Sequence, residues 1–175
     1  VYDPEDPAPS LGNKMIYGNN NDGPRDQTPL YERNDILFYH GPVLSEEIAI
    51  AGPVAVVIYI ASSAVDTDFA AKLCDIHPNG KAYFVTNGFV RMRFLDSVKA
   101  TQGIRSDKIY RVEVKMGHTA HTFLKGHRLQ LQISSSDFPN HERNLNTGGS
   151  NEGDSTDVKA VQKIYHGGSY DSHLT

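Results

Sequence analysis

The chain has 175 residues, of which 22% are charged and 38% are apolar, and its formal net charge is −4. This size and composition suit one folded domain rather than a disordered segment, and without a Lys/Arg cluster we expect no nucleic-acid partner. No run approaches the roughly 18 apolar residues that a membrane span requires, so we expect no membrane partner. The sequence does not determine the cellular compartment, although we expect a soluble protein that is cytoplasmic rather than secreted. The one cysteine, Cys74, excludes an internal disulfide and is expected to be a buried, inert thiol.

Residues 1–34 are rich in Pro, Gly and Asn, and only residues 14–17 resemble a strand. Such punctuation predicts turns and loops rather than a core. We therefore expect an amino-terminal arm over residues 1–34 that lies across another surface, followed by a β-sandwich over residues 35–175. The chain begins at Val1 and not at Met, which suggests a piece of a longer polypeptide.

After the arm, short apolar or alternating runs recur, enriched in Val, Ile, Tyr and Phe. They predict strands and no long helix, and the near-continuous apolar run Val54–Ile60 is typical of a strand covered on both faces. Because one sheet alone would leave its apolar face in water, we predict an all-β, two-sheet sandwich. The predicted strands are Asp35–Tyr39, Ile48–Ile50, Val54–Ile60, Phe69–Ile76, Ala82–Thr86, Phe89–Phe94, Ile109–Met116, His121–Phe123, Leu129–Ser134 and Ala160–Tyr165.

Two tight turns are predicted from residues that tolerate positive φ. Pro78-Asn79-Gly80 separates two predicted strands, with Pro fixing φ at the first turn position. Asn87-Gly88 separates the next two and suits a two-residue hairpin turn. Together they predict three successive antiparallel strands between residues 69 and 94.

The run at residues 128–134 alternates strictly. Leu129, Leu131 and Ile133 fall on one face of an extended chain, and Gln130 and Gln132 fall on the other. We expect the first set in the core. The glutamines should face water, so that replacing Gln130 by Ala should cost almost no stability.

Signatures of nucleophilic catalysis are missing from the sequence. It contains no Gly-x-Ser-x-Gly, the strained turn that exposes the nucleophile of α/β-hydrolases. The serines at positions 134–136 end an apolar strand, where hydroxyl groups usually bond to backbone in a turn. We predict no catalytic residue in this chain.

Candidate metal ligands are also weak. His118 and His121 are an odd number of positions apart, which puts them on opposite faces of a strand. Asp66 and Asp68 could seat calcium in a sandwich loop, or, as is commoner, cap local backbone N–H groups. His127, at the start of a strand, is interpreted as a packed imidazole. We predict no metal site and no cofactor.

Five motifs carry a family resemblance. Residues 2–12 read Y-D-P-x-x-P-x-P-S-x-G, residues 22–27 read D-G-x-x-D-Q, and residues 33–37 read R-x-D-I-L. Residues 62–80 follow S-S-x-x-D-T-D-F-x-A-K-L-x-D-I-x-P-x-G, and residues 126–147 follow G-H-R-x-x-x-x-I-S-S-S-x-F-P-x-x-x-R-N-x-N-T. Spread over nearly the whole chain, they resemble the C-terminal jelly-roll domain of the cocaine-esterase and X-Pro dipeptidyl-peptidase group of serine hydrolases. The match is closest to the cocaine-esterase-like branch, which includes α-amino-acid ester hydrolases and acylases.

The resemblance implies a jelly-roll sandwich, similar to galactose-binding domains, that is the non-catalytic C-terminal domain of a serine ester or amide hydrolase. The Ser-His-Asp triad would lie in an α/β-hydrolase domain of the same polypeptide, which this domain would stabilise. In the family an apolar-apolar-aromatic stretch of the arm helps to wall the acyl pocket of a small-molecule ester or amide. Met15, Ile16 and Tyr17 match that stretch, although they could equally pack on their own sandwich. Because relatives continue into a final hydrophobic strand, we expect the last edge of the sandwich to be truncated.

A second class of function stays open. Jelly rolls also occur as free-standing carbohydrate- or calcium-binding modules, and fold alone does not fix function. Sugar-binding platforms rely on exposed aromatic faces; this chain has no Trp but nine Tyr that could substitute. A Gly-x-Ser-x-Gly upstream in the coding sequence would decide for the hydrolase.

Overall fold

The computed structural model describes residues 1–12, 23–95 and 103–175. In these ranges the chain forms eight strands, two short 3-10 helices and no α-helix. The 3-10 helices are Thr28–Glu32 and Met92–Phe94. The strands are β1 Leu37–His40, β2 Ile48–Ser62, β3 Asp68–Ile76, β4 Ala82–Arg91, β5 Tyr110–Phe123, β6 Arg128–Ser134, β7 Gln162–Tyr165 and β8 His173–Leu174.

The strands form two antiparallel sheets. One has the order β1-β6-β3-β4, and the other has the order β5-β2-β7, with β8 also paired to β2. The apolar faces of the two sheets pack together, which removes both from water. The predicted all-β, two-sheet sandwich of jelly-roll type is confirmed.

Alternation along β5 shows how the sequence builds this core. Val112, Val114 and Met116 are fully buried between the sheets, whereas Glu113 and Lys115 are exposed. Successive side chains of a strand point to opposite faces, so one apolar residue in two suffices to cover the core side. On β6, Ile133 is buried by the same logic.

Two predicted strand breaks do not occur. Ile48–Ile50 and Val54–Ile60 belong to one strand, β2, whose register against β5 shifts between Pro53 and Ala55. A bulge tolerates a Pro that has no N–H to donate to the ladder, so the strand continues past it. The runs Ile109–Met116 and His121–Phe123 are likewise parts of the single strand β5.

The two turn predictions have opposite outcomes. Gly80 has φ +85°, and the turn at residues 77–81 joins β3 to β4 as expected. The Asn87-Gly88 hairpin is wrong, because β4 runs straight through both residues, and Gly88 pairs with Ala71 of β3 outside the positive-φ region. The glycine is needed for space: a Cβ at position 88 would lie 2.3 Å from the Lys115 carbonyl oxygen of β5.

The arm covers the outer face of the β1-β6-β3-β4 sheet. Ala8, Leu30 and Ile36 form a small buried cluster there, so all but the last residue of β3 is buried, with the core on one face and the arm on the other. This corrects the expectation that Gln130 and Gln132 face water, since they are 0% and 3% exposed. Hydrophobic alternation reports which residues face the core, but not whether the opposite face is covered.

We expect Gly88→Ala to destabilise the chain by about 3 kcal/mol, the upper part of the range for overpacking, because its Cβ would meet backbone of β5 that cannot rotate away. The matched control is Gly41→Ala, whose Cβ would make an ordinary contact 3.4 Å from the Leu129 carbonyl oxygen. Urea unfolding of the two variants compares them. Equal midpoints would mean that β4 and β5 do not approach closely at Gly88.

Candidate functional site

The predicted pocket-lining residues Met15, Ile16 and Tyr17 lie outside the described residues. The residues on either side of this segment, Gly12 and Gly23, are described and lie in contact. Gly12 has φ +80°, and a Cβ on it would lie 2.8 Å from the Gly23 carbonyl oxygen and 3.0 Å from Cβ of Phe84. Only glycine accommodates this conformation and this contact without strain. The chain on both sides of residues 13–22 is therefore fixed at one place beside β4.

Gln27 holds both sides of that segment. Its side-chain amide donates to the carbonyl oxygens of Leu11, at 2.5 Å, and Arg25, at 3.0 Å. Its backbone N–H donates to the Ala82 carbonyl oxygen of β4 at 2.7 Å, and the residue is 0% exposed. A buried amide must satisfy its donors inside the protein. One residue therefore joins the chain before and after 13–22 to the sheet, with its side chain bonded to the arm and its backbone bonded to β4.

Lys72 of β3 completes this attachment from beneath the arm. Its ammonium group donates to Gln27 Oε1 at 3.1 Å and lies 3.7 Å from Asp137 Oδ1. The amide of Asn87 donates to Asp137 Oδ2 at 3.0 Å. We call these four buried residues, Gln27, Lys72, Asn87 and Asp137, the anchor. Sequence reasoning missed it, because a polar residue on a strand indicates solvent unless the covering element is known.

Asp137 is held ionised in this layer. Burial alone would raise the pKa of its carboxyl, but the neighbouring His141 imidazole, 3.6 Å away, and the Lys72 ammonium outweigh burial and lower the pKa to about 2. A buried charge pair that loses one partner leaves the other charge uncompensated. The anchor therefore tolerates little movement while the protein is folded.

A second polar network accounts for Asp66 and Asp68. Asp66 accepts bonds from Nε and the backbone N–H of Arg93, and Asp68 accepts bonds from Arg91. The side-chain amide of Asn144 donates to both carboxylates at 2.8 Å. Asp66 thus accepts a local backbone N–H, as the capping hypothesis predicts, and both carboxylates also form ion pairs with arginine.

This network joins three of the sequence motifs. Asn144 belongs to the R-N-x-N-T end of the motif at 126–147, and Asp66 and Asp68 belong to D-T-D-F. Tyr2, from Y-D-P, donates its hydroxyl to the Asn144 carbonyl oxygen at 3.0 Å. Burial, followed by the negative charge of Asp68, raises the pKa of this hydroxyl well above its usual range. These motif residues therefore connect segments that are distant in the sequence.

The described nucleophile candidates have no base. Ser134 donates its hydroxyl to the Ser136 carbonyl oxygen, and the Ser136 hydroxyl accepts from the Ala8 N–H. Burial raises the pKa of the Cys74 thiol to about 12, so it is not a thiolate near neutrality. Among residues 1–12, 23–95 and 103–175, no serine or cysteine is hydrogen-bonded to an imidazole.

One cluster that the sequence did not reveal has metal-ligand chemistry. Asp75, His77 and His127 each present a ligand atom within 4.8 Å of the others. His121 also reaches Asp75, whereas His118 on the same strand is exposed, as the odd spacing predicts. Asp75 and His127 are distant in sequence and meet only because β3 pairs with β6, a register that one sequence does not give.

No helix in the described part of the chain is long and apolar enough to cross a bilayer.

Residues 2–175 match the model of the X-Pro dipeptidyl-peptidase C-terminal non-catalytic domain. Cocaine esterase of Rhodococcus sp. (strain MB1 Bresler) is 42% identical over 176 residues, which cover 99% of this chain and 31% of that enzyme. The chain thus spans about a third of the length of this curated relative.

Two solved structures share the fold. An α-amino acid ester hydrolase superposes with a TM-score of 0.86 at 26% identity, over 98% of this chain and 31% of that one. An aminopeptidase from the marine sediment archaeon Thaumarchaeota archaeon superposes with a TM-score of 0.87 at 24% identity, with the same coverage. Since the family match runs through nearly every residue and the sequence match is strong, the chain belongs to the family of X-Pro dipeptidyl-peptidase C-terminal non-catalytic domains, which the cocaine-esterase-like hydrolases share.

Proposed function

We propose that this domain serves a serine ester or amide hydrolase by stabilising an α/β-hydrolase domain of the same polypeptide and by walling part of its acyl pocket. The observation that carries the proposal is the 42% identity to an esterase of which the chain covers only 31%. The rest of such a polypeptide has room for the nucleophile, base and oxyanion donors that the described residues do not assemble.

A stabilising role needs a surface that another domain can cover. Val1, Val158 and Val161 are 68%, 46% and 47% exposed, and they flank the bridge between Tyr2 and Ala160. Neighbouring exposed apolar residues favour an interaction surface over a surface selected for water. We assign the hydrolase domain to this side of the sandwich.

The pocket wall is assigned to Met15, Ile16 and Tyr17. Support comes from the anchor, which fixes the residues before and after this segment to β3 and β4 through buried hydrogen bonds. A wall that selects by contact area must be held in place, because a mobile side chain loses entropy on every binding event. The anchor holds the residues on both sides of this segment in place.

We expect the isolated chain to lack hydrolase activity. Incubated with activated short-chain esters, it should release no more product than the heat-denatured chain, because no described serine or cysteine is hydrogen-bonded to an imidazole. The complete hydrolase is the positive control. Ester hydrolysis by the isolated chain that a serine-directed phosphonate abolishes would contradict the assignment.

In the complete hydrolase, Tyr17→Ala should lower kcat/KM for bulky acyl substrates and affect acetyl esters less. Loss of an aromatic contact in a pocket should cost about 1–3 kcal/mol of discrimination. Tyr17→Phe, which keeps the ring, is the matched control and should retain selectivity. Equal losses for large and small acyl groups, or lost stability with unaltered selectivity, would place Tyr17 away from the pocket.

The anchor should make stability depend on acid pH through Asp137. An unfolded Asp titrates near 3.9, and the folded pKa is about 2, so the ionised carboxyl stabilises the fold by about 2 kcal/mol above pH 4. This contribution is lost as the pH falls from about 4 to about 2. Asp137→Asn should therefore be less stable at neutral pH and should flatten the acid decline in urea unfolding. Asp171→Asn, on an exposed side chain, is the control, and equal behaviour of the two variants would contradict a buried ionised anchor.

A further inference from the structure

Three imidazoles surround the carboxylate of Asp75. Nδ1 of His127 lies 2.9 Å from Asp75 Oδ1, Nε2 of His121 lies 3.1 Å from Oδ2, and Nε2 of His77 lies 3.7 Å from Oδ2. The rings of His77 and His127 also contact each other, with centroids 4.4 Å apart. The cluster draws on both sheets, since Asp75 belongs to β3 and His121 belongs to β5.

Asp75 differs from the other buried carboxylates described above. Asp66, Asp68 and Asp137 each have an Arg or Lys within ion-pair distance. Asp75 is 2% exposed, and its ion-pair partners among the described residues are imidazoles alone. A buried carboxylate needs a compensating positive charge. Among the described residues no Arg or Lys provides it.

The distances fit a tetrahedral ion. Zinc bound at about 2.0–2.1 Å has ligand atoms about 3.3 Å apart along each edge of the tetrahedron. Measured to the single oxygen Oδ2 of Asp75, the distances of 3.1 Å to Nδ1 of His127 and 3.7 Å to Nε2 of His77 bracket that value. From this arrangement we propose that Asp75, His77 and His127 form a zinc site, which departs from our expectation, made from sequence, of no metal.

The donor set selects the class of metal. Imidazole nitrogen with one carboxylate oxygen suits Zn²⁺, whereas Ca²⁺ and Mg²⁺ require a shell made mainly of oxygen. His121 bonds to the same carboxylate and acts as a positioning residue, which orients Asp75 by a hydrogen bond as carboxylates and imidazoles do around protein-bound zinc. The ion brings two positive charges, and these compensate the single negative charge of the buried carboxylate.

The site is both held and reachable. The backbone of His127 is fixed by hydrogen bonds to Leu124 and Leu44, and that of His77 by a bond to Lys81. A groove of about 600 Å³, lined in part by Asp75, His77, Tyr83 and His121, leads to the cluster from the surface. Because its ligands are preformed on paired strands and their turns, the site should bind zinc without refolding, and should clamp the two sheets together through His121.

The test is calorimetric titration of Zn²⁺ into the untagged, chelator-treated chain. We expect one equivalent to bind at roughly micromolar affinity or tighter, together with a rise in Tm because the ion binds the folded state. His77→Gln, which removes a half-exposed ligand, should weaken binding at least about tenfold. His118→Gln removes an exposed imidazole on the same strand as His121 and should leave binding unchanged.

A second measurement needs no variant and applies even if His77→Gln does not fold. On addition of Zn²⁺ to the unmodified chain, the ring ¹⁵N resonances of His77 and His127 should shift together and saturate at one equivalent. Failure to bind one equivalent, equal losses in His77→Gln and His118→Gln, or shifts confined to exposed residues such as His118 and His173 would overturn the proposal.

Discussion

The structure depends on covering both faces of the β1-β6-β3-β4 sheet. The inner face is apolar and packs on the second sheet, whereas the outer face carries Lys72, Asn87, Gln130 and Gln132, all buried. Burying such groups is costly unless every one is hydrogen-bonded. Gln27 and Tyr31 of the arm, together with Asp137, supply partners for them, so the anchor is a condition for the fold as well as an attachment for the residues before and after 13–22.

This constraint links the fold to the proposed role. Because the arm covers the outer face of this sheet, another domain would contact the edges and loops of the sandwich and not that face. The Asp66, Asp68 and Asn144 network ties the amino-terminal motif to the loop after β6. Asn144 is held by charge-assisted bonds to both carboxylates, and its carbonyl oxygen accepts the Tyr2 hydroxyl of the arm. These residues of the family motifs therefore hold the segments of the domain together, which fits a non-catalytic domain better than a free-standing enzyme.

Sequence reasoning reached the sandwich because alternation in β5 and the Gly80 turn are local signals. It failed at Gly88, where the glycine is required by a neighbouring sheet, and at Gln130, whose covering element is distant in sequence. The anchor and the Asp75 cluster were missed for the same reason: each is assembled by strand register and arm placement. The family motifs identified the relatives, but only the structure shows that residues of these motifs hydrogen-bond to one another.

In the proposed role, the anchor fixes the chain before and after residues 13–22 so that Met15, Ile16 and Tyr17 wall the acyl pocket of a hydrolase. The most direct measurement is a crystal structure of the complete hydrolase trapped with a serine-directed phosphonate that carries a bulky acyl-like group. We expect a side chain of Met15, Ile16 or Tyr17 in van der Waals contact with that group, and retention of the Gln27 bonds to Leu11 and Arg25. A trapped group walled entirely by other parts of the polypeptide, with these three residues packed on their own sandwich, would contradict it.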